Sequence, residues 1–264
     1  RPRLRRAAAV GVALAAVAAL AQGLPTVTVT RSERTIVVSQ RAAAADGART
    51  VLANRNCEDG VLTNLFFGPV PGYVETRIDD TVLVSQVARV RVPTGDDGDD
   101  DETIELFGGL VTFDRPGCID EVDDAEARPV ELRQGRTTVT GTRFFLDRGT
   151  DVATMDGPIA LERAAERDDR PPLTARAAEL TFDVGRERAT LIGEVEVTSG
   201  ERVSVADRLE LDEEAGVALL TGSPAVSRRG PDEVRGSTLR YDLETDEVVA
   251  IGSVFATFEV ELED

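Results

Sequence analysis

Residues 177–197 read Ala177-Ala178-Glu179-Leu180-Thr181-Phe182-Asp183-Val184-Gly185-Arg186-Glu187-Arg188-Ala189-Thr190-Leu191-Ile192-Gly193-Glu194-Val195-Glu196-Val197. Apolar side chains recur at every second position on both sides of a polar turn. Leu180 and Phe182 precede the turn; Ala189, Leu191, Val195 and Val197 follow it. A spacing of two is strand periodicity with one face buried. The turn opens at Asp183, and Gly193 stands ten residues on. The same unit recurs at Asp147–Gly157, Asp212–Gly222 and Asp242–Gly252, and successive Asp residues lie 36, 29 and 30 positions apart. The first copy carries Phe144, Leu146, Ala153, Met155, Ile159 and Leu161. The third carries Leu209, Leu211, Ala218, Leu220, Pro224 and Val226. The fourth carries Leu239, Tyr241, Val248, Ala250, Val254 and Ala256. A period of this size belongs to repeat architectures, in which each unit buries its face against its neighbours.

Each Asp begins a run of turn-forming residues. An Asp carboxylate can accept a hydrogen bond from the backbone two residues on, so these four are read as turn residues rather than metal ligands or catalytic groups. One short strand leads into each turn and a longer one leaves it, forming a hairpin. The Gly at the tenth position shares the parity of the inward-facing residues. Glycine weakens a strand interior unless the backbone must bend or another backbone must approach. Gly157, Gly193, Gly222 and Gly252 are therefore expected at corners, where each long strand bends and serves two facing sheets. The alternative is an ordinary strand glycine. The fold class expected is all-β: an antiparallel β-jellyroll or β-taco of stacked strand–turn–strand repeats with an apolar interior groove.

The N-terminal half is a looser version of the same pattern. Residues 26–40 are β-rich, and residues 61–92 hold several strand-like stretches. Residues 103–113 resemble a strand–Gly–strand half-unit. The acidic segment 120–129 reads as a break between subdomains, and 164–172, with Pro171 and Pro172, as a second break. Three regions result: residues 1–21, a divergent β region over 24–135, and the clear repeats over 136–264, with one continuous unit over 24–264 as the alternative.

Arg1-Pro2-Arg3-Leu4-Arg5-Arg6 is followed by a 15-residue apolar run from Ala7 to Ala21. A basic start, a short apolar stretch and small residues at Ala19 and Ala21 are the parts of a cleavable export signal. The run is shorter than the ~17–25 residues of a spanning helix; an N-terminal membrane anchor is the alternative. Four Arg lie in this segment, so the remainder carries −23 against −19 for the whole chain. A nucleic-acid partner is not expected, because phosphate binding needs a basic surface. Cys57 and Cys118 are the two cysteines. In an exported chain an even count permits a disulfide, worth about 4 kcal/mol for a loop this long on the chain-entropy model. Two unpaired thiols are the other reading.

The chain has no His, which excludes Ser–His and Cys–His nucleophile pairs and His metal sites. No phosphate-binding loop or dinucleotide fingerprint is present. The run Asp96-Asp97-Gly98-Asp99-Asp100-Asp101-Glu102 lacks the order of a calcium loop and reads as a solvated connection. No catalytic residues, metal or cofactor are expected, and the chain is not read as an enzyme.

The pattern Ala-[Asp/Glu]-x-Leu-x-[Phe/Tyr/Leu]-Asp followed by [Ala/Val]-x-[Leu/Ala]-x-Gly-x-[Val/Pro] resembles the OstA/LptA-like family. These are periplasmic proteins of lipopolysaccharide transport, also called organic solvent tolerance proteins. The residues that carry it are Ala177–Asp183 with Ala189–Val195, Ala206–Asp212 with Gly222, and Gly236–Asp242 with Gly252. The match covers about 139–257. The resemblance implies a taco-like β-jellyroll whose apolar groove holds acyl chains, with end-to-end stacking through terminal strands. It implies a periplasmic carrier or bridge that moves lipid, or a lipopolysaccharide-like glycolipid, toward outer-membrane assembly. Its partners would be further copies of this chain or edge strands of the same transport system. The groove would be lined by Phe144, Leu146, Met155, Ile159, Leu161, Leu180, Phe182, Leu191, Val195, Val197, Leu209, Leu211, Leu220, Val226, Leu239, Tyr241, Val248 and Val254. The charge of −23 is a departure, since it disfavours an anionic headgroup; a different lipid or bridging divalent cations would meet it. The rival function is a structural or cell-surface β-repeat without ligand.

Overall fold

The computed structural model describes residues 26–257, apart from 32–33, 42–51, 59, 68–72, 94–101, 116–117, 124–127, 166–170, 184–185, 187, 213 and 246. The expected export signal and the Ala-rich segment after residue 41 lie outside these. Among the described residues every regular element is a strand. In chain order they are β1 (Thr26–Arg31), β2 (Arg34–Arg41), β3 (Leu52–Glu58), β4 (Val61–Phe67), β5 (Tyr73–Ile78), β6 (Thr81–Ser85) and β7 (Val87–Pro93). There follow β8 (Thr103–Phe107), β9 (Leu110–Arg115), β10 (Cys118–Asp123), β11 (Val130–Gln134), β12 (Thr137–Gly141) and β13 (Arg143–Asp147). The long strands are β14 (Val152–Arg163), β15 (Leu173–Asp183), β16 (Arg188–Ser199), β17 (Arg202–Asp212), β18 (Val217–Arg229) and β19 (Asp232–Asp242). Short β20 (Val248–Ile251) and β21 (Phe255–Thr257) end the series.

All strands but β9 and β10 join one antiparallel sheet, which does not close into a barrel. The sheet is folded into two wings. The first half of β14 pairs with β13 and its second half with β12, so β12 and β13 are one strand's course bent at Thr142. One wing runs β1-β2-β5-β6-β11-β12 and the other β3-β4-β7-β8-β13. The six long strands β14 to β19 cross from wing to wing. Beyond β19, β20 extends the second wing and β21 the first. Tyr241, on the second wing, reaches Ser227 on the first at 3.2 Å, so the wings face each other across a shared interior.

The crossing is visible as a register shift in every long pair. The shifts bracket residues 157–158 against 178, 193–194 against 207, and 222–224 against 237. All four repeat glycines stand at this corner. At Gly157 an added Cβ would collide with the Ala178 carbonyl oxygen, and Gly193 has φ +84°, a conformation that L side chains rarely adopt. In the N-terminal half the corner falls between separate strands and is stitched by backbone bonds. Gln86 N–H donates to the Phe107 carbonyl (3.0 Å), Gly108 N–H to Thr142 (3.1 Å), and Thr142 N–H to Asp156 (2.9 Å).

Three sequence expectations need correction. Three of the four strands entering the Asp turns are not short: β15, β17 and β19 have 11 residues each, because they too cross the corner, with no glycine required at Ala178 or Asp207; β13, entering the turn at Asp147, is short, with 5. The stretch after Gly108–Gly109 does not cross to the other wing. It turns away as the β9–β10 hairpin, and β11 takes the place opposite β6. The acidic segment read as a break begins inside β10.

Candidate functional site

The inner faces of both wings converge on one apolar cluster. It runs from Ile36, Phe66 and Leu83 in the N-terminal half to Leu220, Leu239 and Tyr241 at the other end. Alternation explains it. On β14, Ala153, Met155, Ile159, Leu161 and Arg163 are buried between exposed neighbours, and β15, β16 and β17 repeat the pattern. Burial of each large aliphatic side chain contributes about 1.5–3 kcal/mol, which outweighs the small β propensities of the intervening residues.

The expected groove residues fall into three groups. Phe144, Leu146, Met155, Ile159, Leu161, Leu180, Phe182, Leu191, Val195, Val197, Leu209, Leu211, Leu220, Leu239 and Tyr241 are buried in this cluster, and Val248 packs against it. Val226 is not part of it. The corner of β18 holds an additional residue, so the parity after it is reversed; Ala225 and Ser227 are the buried inward residues there. Val226 instead pairs with the exposed Val205 on the outer face. Val254 also stands elsewhere: it is 55% exposed, in the short link between β20 and β21.

The cluster residues are almost fully shielded from solvent. One apolar pocket opens between the wings, with Leu132, Gln134, Thr137 and Val139 on one side and Leu180, Phe182, Ala189 and Leu211 on the other. Counted out to its open mouth it measures about 350 Å³. The part that admits the centre of a water-sized sphere is about 20 Å³, room for about one water.

On β17, the last strand to line that pocket, and on β18 beside it, the first wing's inner face turns polar, which the apolar repeat pattern did not reveal. Ser204 and Ser227 are cross-strand partners on the first wing, and both contact the Tyr241 hydroxyl from the second. Their exposures are 0%, 1% and 2%. Arg202 lies next on the same face and donates from Nη1 to Ser227 Oγ at 3.4 Å. Its Nε is buried without a partner. The signal was present in the sequence as Ser204 and Ser227 at inward positions, but the second was hidden by the parity change at the β18 corner.

The repeat Asp residues act on their own turns. Asp147 Oδ1 accepts from Gly149 N–H at 2.8 Å, Asp183 Oδ1 from Arg186 at 3.0 Å, Asp212 Oδ1 from Ala215 at 2.9 Å, and Asp242 Oδ1 from Glu244 and Thr245 at 3.0 and 2.9 Å. The Thr245 and Glu244 amides hold the Asp242 carboxyl below its ordinary range. On the outer face of the second wing, Glu105 is buried between Arg89 and Arg143. Both guanidiniums stack over Phe107, at 5.6 and 5.5 Å from the ring centre. Burial pushes the Glu105 carboxyl up, but hydrogen bonds and charge from Arg143 and Arg89 outweigh this and hold it low.

Cys118 is buried and disulfide-bonded. The side chain of Cys57, in β3, lies outside the described residues. The described part of the acidic run, Glu102, is buried rather than solvated. Among the described residues no group of three or more His, Cys, Asp or Glu is placed to hold a metal ion.

No family model matches the chain, and no curated protein matches it. Among solved structures, it is similar to LptH of Pseudomonas aeruginosa, the LptA-homologous periplasmic component of the lipopolysaccharide transport device. The identity is 18%, over 57% of this chain and 94% of that one, with a TM-score of 0.27. A TM-score that low gives the likeness no weight for fold or function.

Proposed function

We propose that this chain is an exported, periplasmic lipid-binding carrier or bridge that holds acyl chains between its two wings. The observation that carries the reading is the apolar pocket at the mouth of the interior, bounded by Leu132 and Val139 on one wing and Leu180, Phe182 and Leu211 on the other. A fold joined along one corner can part at the opposite mouth, and each methylene then buried contributes about 0.8 kcal/mol. Several methylenes give useful affinity without a conventional polar site. We treat residues 26–257 as one continuous unit, supported by the pairing of β11 with both β6 and β12.

The proposed macromolecular partners are strands. Among the described residues, β20 and β21 pair only with β19, so each wing ends in an unpaired edge. Val249, Ile251 and Phe255 are exposed there, Phe255 at 60%. Such an edge is a template for strand addition by a second copy or by a component of the same transport system. A disulfide between Cys57 and Cys118 belongs to the proposal as a staple of the N-terminal half.

A second reading, a structural β-repeat without ligand, is favoured by the narrowness of that pocket, which has room for about one water. Native mass spectrometry of the exported protein separates the two. Co-purified lipid, lost after detergent exchange and regained on incubation with lipid, is the expected result. Protein that carries and takes up no lipid would establish the structural repeat.

A further inference from the structure

Along the inner face of the first wing, the second row in from the mouth reads Leu161, Ala175 and Val197 on β14 to β16, then Ser204 and Ser227 on β17 and β18. An interior that changes from apolar to polar along its length matches a ligand with one apolar and one polar end. Arg202 adds charge at the polar end. In a chain with 49 acidic residues, it pairs with no carboxylate among the described residues. Its ladder neighbours are Ser199 and Arg229, so a second cation stands beside it; Asp232 lies opposite Arg229 on the far side. The Arg202 Nε is buried and unpartnered, an arrangement that costs stability unless something accepts its proton. The Tyr241, Ser204 and Ser227 hydroxyls can rotate to donate.

Resting on the lipid-binding reading above, we propose that Arg202, Ser204, Ser227 and Tyr241 receive the anionic carboxylate head of a single-chain amphiphile. Its tail runs back along the interior to the pocket at Phe182 and Leu211. Leu211 and Tyr241 lie two strands apart, roughly 10 Å at the usual strand spacing, so head and tail sites are continuous. A guanidinium takes a carboxylate through paired N–H donors, and the three hydroxyls complete its oxygen shell. The Tyr241 bridge between the wings is then exchanged for bonds to the ligand, which couples head binding to parting of the mouth.

The test measures binding of oleate, methyl oleate and acetate to the delipidated, full exported protein. Oleate is expected to bind at least about tenfold more tightly than methyl oleate, as a charge-assisted hydrogen bond implies. Arg202→Gln should remove that preference by weakening oleate much more than methyl oleate. Tyr241→Phe, which keeps the ring in the core, should weaken oleate several-fold by the same comparison. Equal binding of oleate and methyl oleate by the wild type overturns the head site while leaving lipid binding in place. So does a preference that survives in both variants. Acetate displacing oleate at matching concentrations would make this a free-anion site and also overturns the proposal. Failure of both oleate and methyl oleate to bind overturns it together with the lipid-binding reading.

Discussion

The two halves of this molecule build the same two-winged shape by different means. From β14 to β19 each strand is 11 to 13 residues long and bends without interruption. In the N-terminal half the same path is covered by strands of five to eight residues laid end to end. β6 meets β7 at Gln86, and β12 meets β13 at Thr142. The corner is the same feature in both. Where the chain bends inside a strand, alternate strands take up the bend with glycine. Where the strand stops, Gln86 and Thr142 turn the corner, Gly108 and Gly141 stand beside them, and backbone bonds hold it. The interrupted half also admits an insertion, the β9–β10 hairpin, and carries the disulfide-bonded Cys118. Continuity and tolerance of insertion are thus opposite properties of one corner.

The comparison predicts that both halves stand or fall together, since one apolar cluster spans them. Leu83→Asp and Leu211→Asp each put an unpaired charge into that cluster. Each should cost about 4 kcal/mol or more and lower a single urea transition. Two separate transitions, each moved by one variant alone, would divide the molecule into independent domains. Val254→Asp, at an exposed site, should stay within about 0.5 kcal/mol of the wild type.

The proposed Cys57–Cys118 staple would belong to the interrupted half alone. Free-thiol titration of the unreduced, denatured protein should find none, and replacing Cys57 or Cys118 by Ser should cost about 2–4 kcal/mol. Two titratable thiols would break this part of the contrast.

A direct comparison of the two corner types comes from neighbouring positions. Gly157→Val places side-chain atoms against the Ala178 carbonyl and should cost about 3 kcal/mol or more. Gly193→Ala, at φ +84°, should cost about 1–2 kcal/mol. Thr142→Val loses only hydroxyl bonds to the Asp156 and Gly157 carbonyls, both 3.2 Å, and should cost about 1 kcal/mol. Equal urea midpoints for the Gly157 and Thr142 variants would erase the distinction between bent and broken strands.

The smallest effect concerns acid. Glu105 links β7, β8 and β13 of the interrupted half through Arg89 and Arg143. Its folded pKa lies below the unfolded value near 4.5, so its contribution is full above that value and is lost as pH falls through the folded one. The stability difference between wild type and Glu105→Gln should therefore shrink as pH drops from 6 into the acid range. A difference that is flat with pH would show that the arginines do not stabilise the ionised form.

Some of this molecule is determined by local chemistry and is legible in the chain. The Asp turns need only a carboxylate two or three residues from a free amide. The inward residues from Phe144 to Leu220 need only alternate spacing, because a pleated strand has two faces. The repeat glycines mark a bend because other residues rarely adopt Gly193's conformation and a Cβ at Gly157 would strike the Ala178 carbonyl. What alternation cannot carry is a change of parity. An extra residue at the β18 corner turned Val226 outward and Ser227 inward, and no propensity counts the residues in a bulge. Likewise the strands that cross at Ala178 and Asp207 bend without a glycine, because the neighbouring strand bends them. The meeting of Tyr241 with Ser204 and Ser227 joins residues 37 and 14 positions apart from opposite wings. Only the folding of one wing onto the other brings those hydroxyls together, since each sits on its own strand as an ordinary inward side chain.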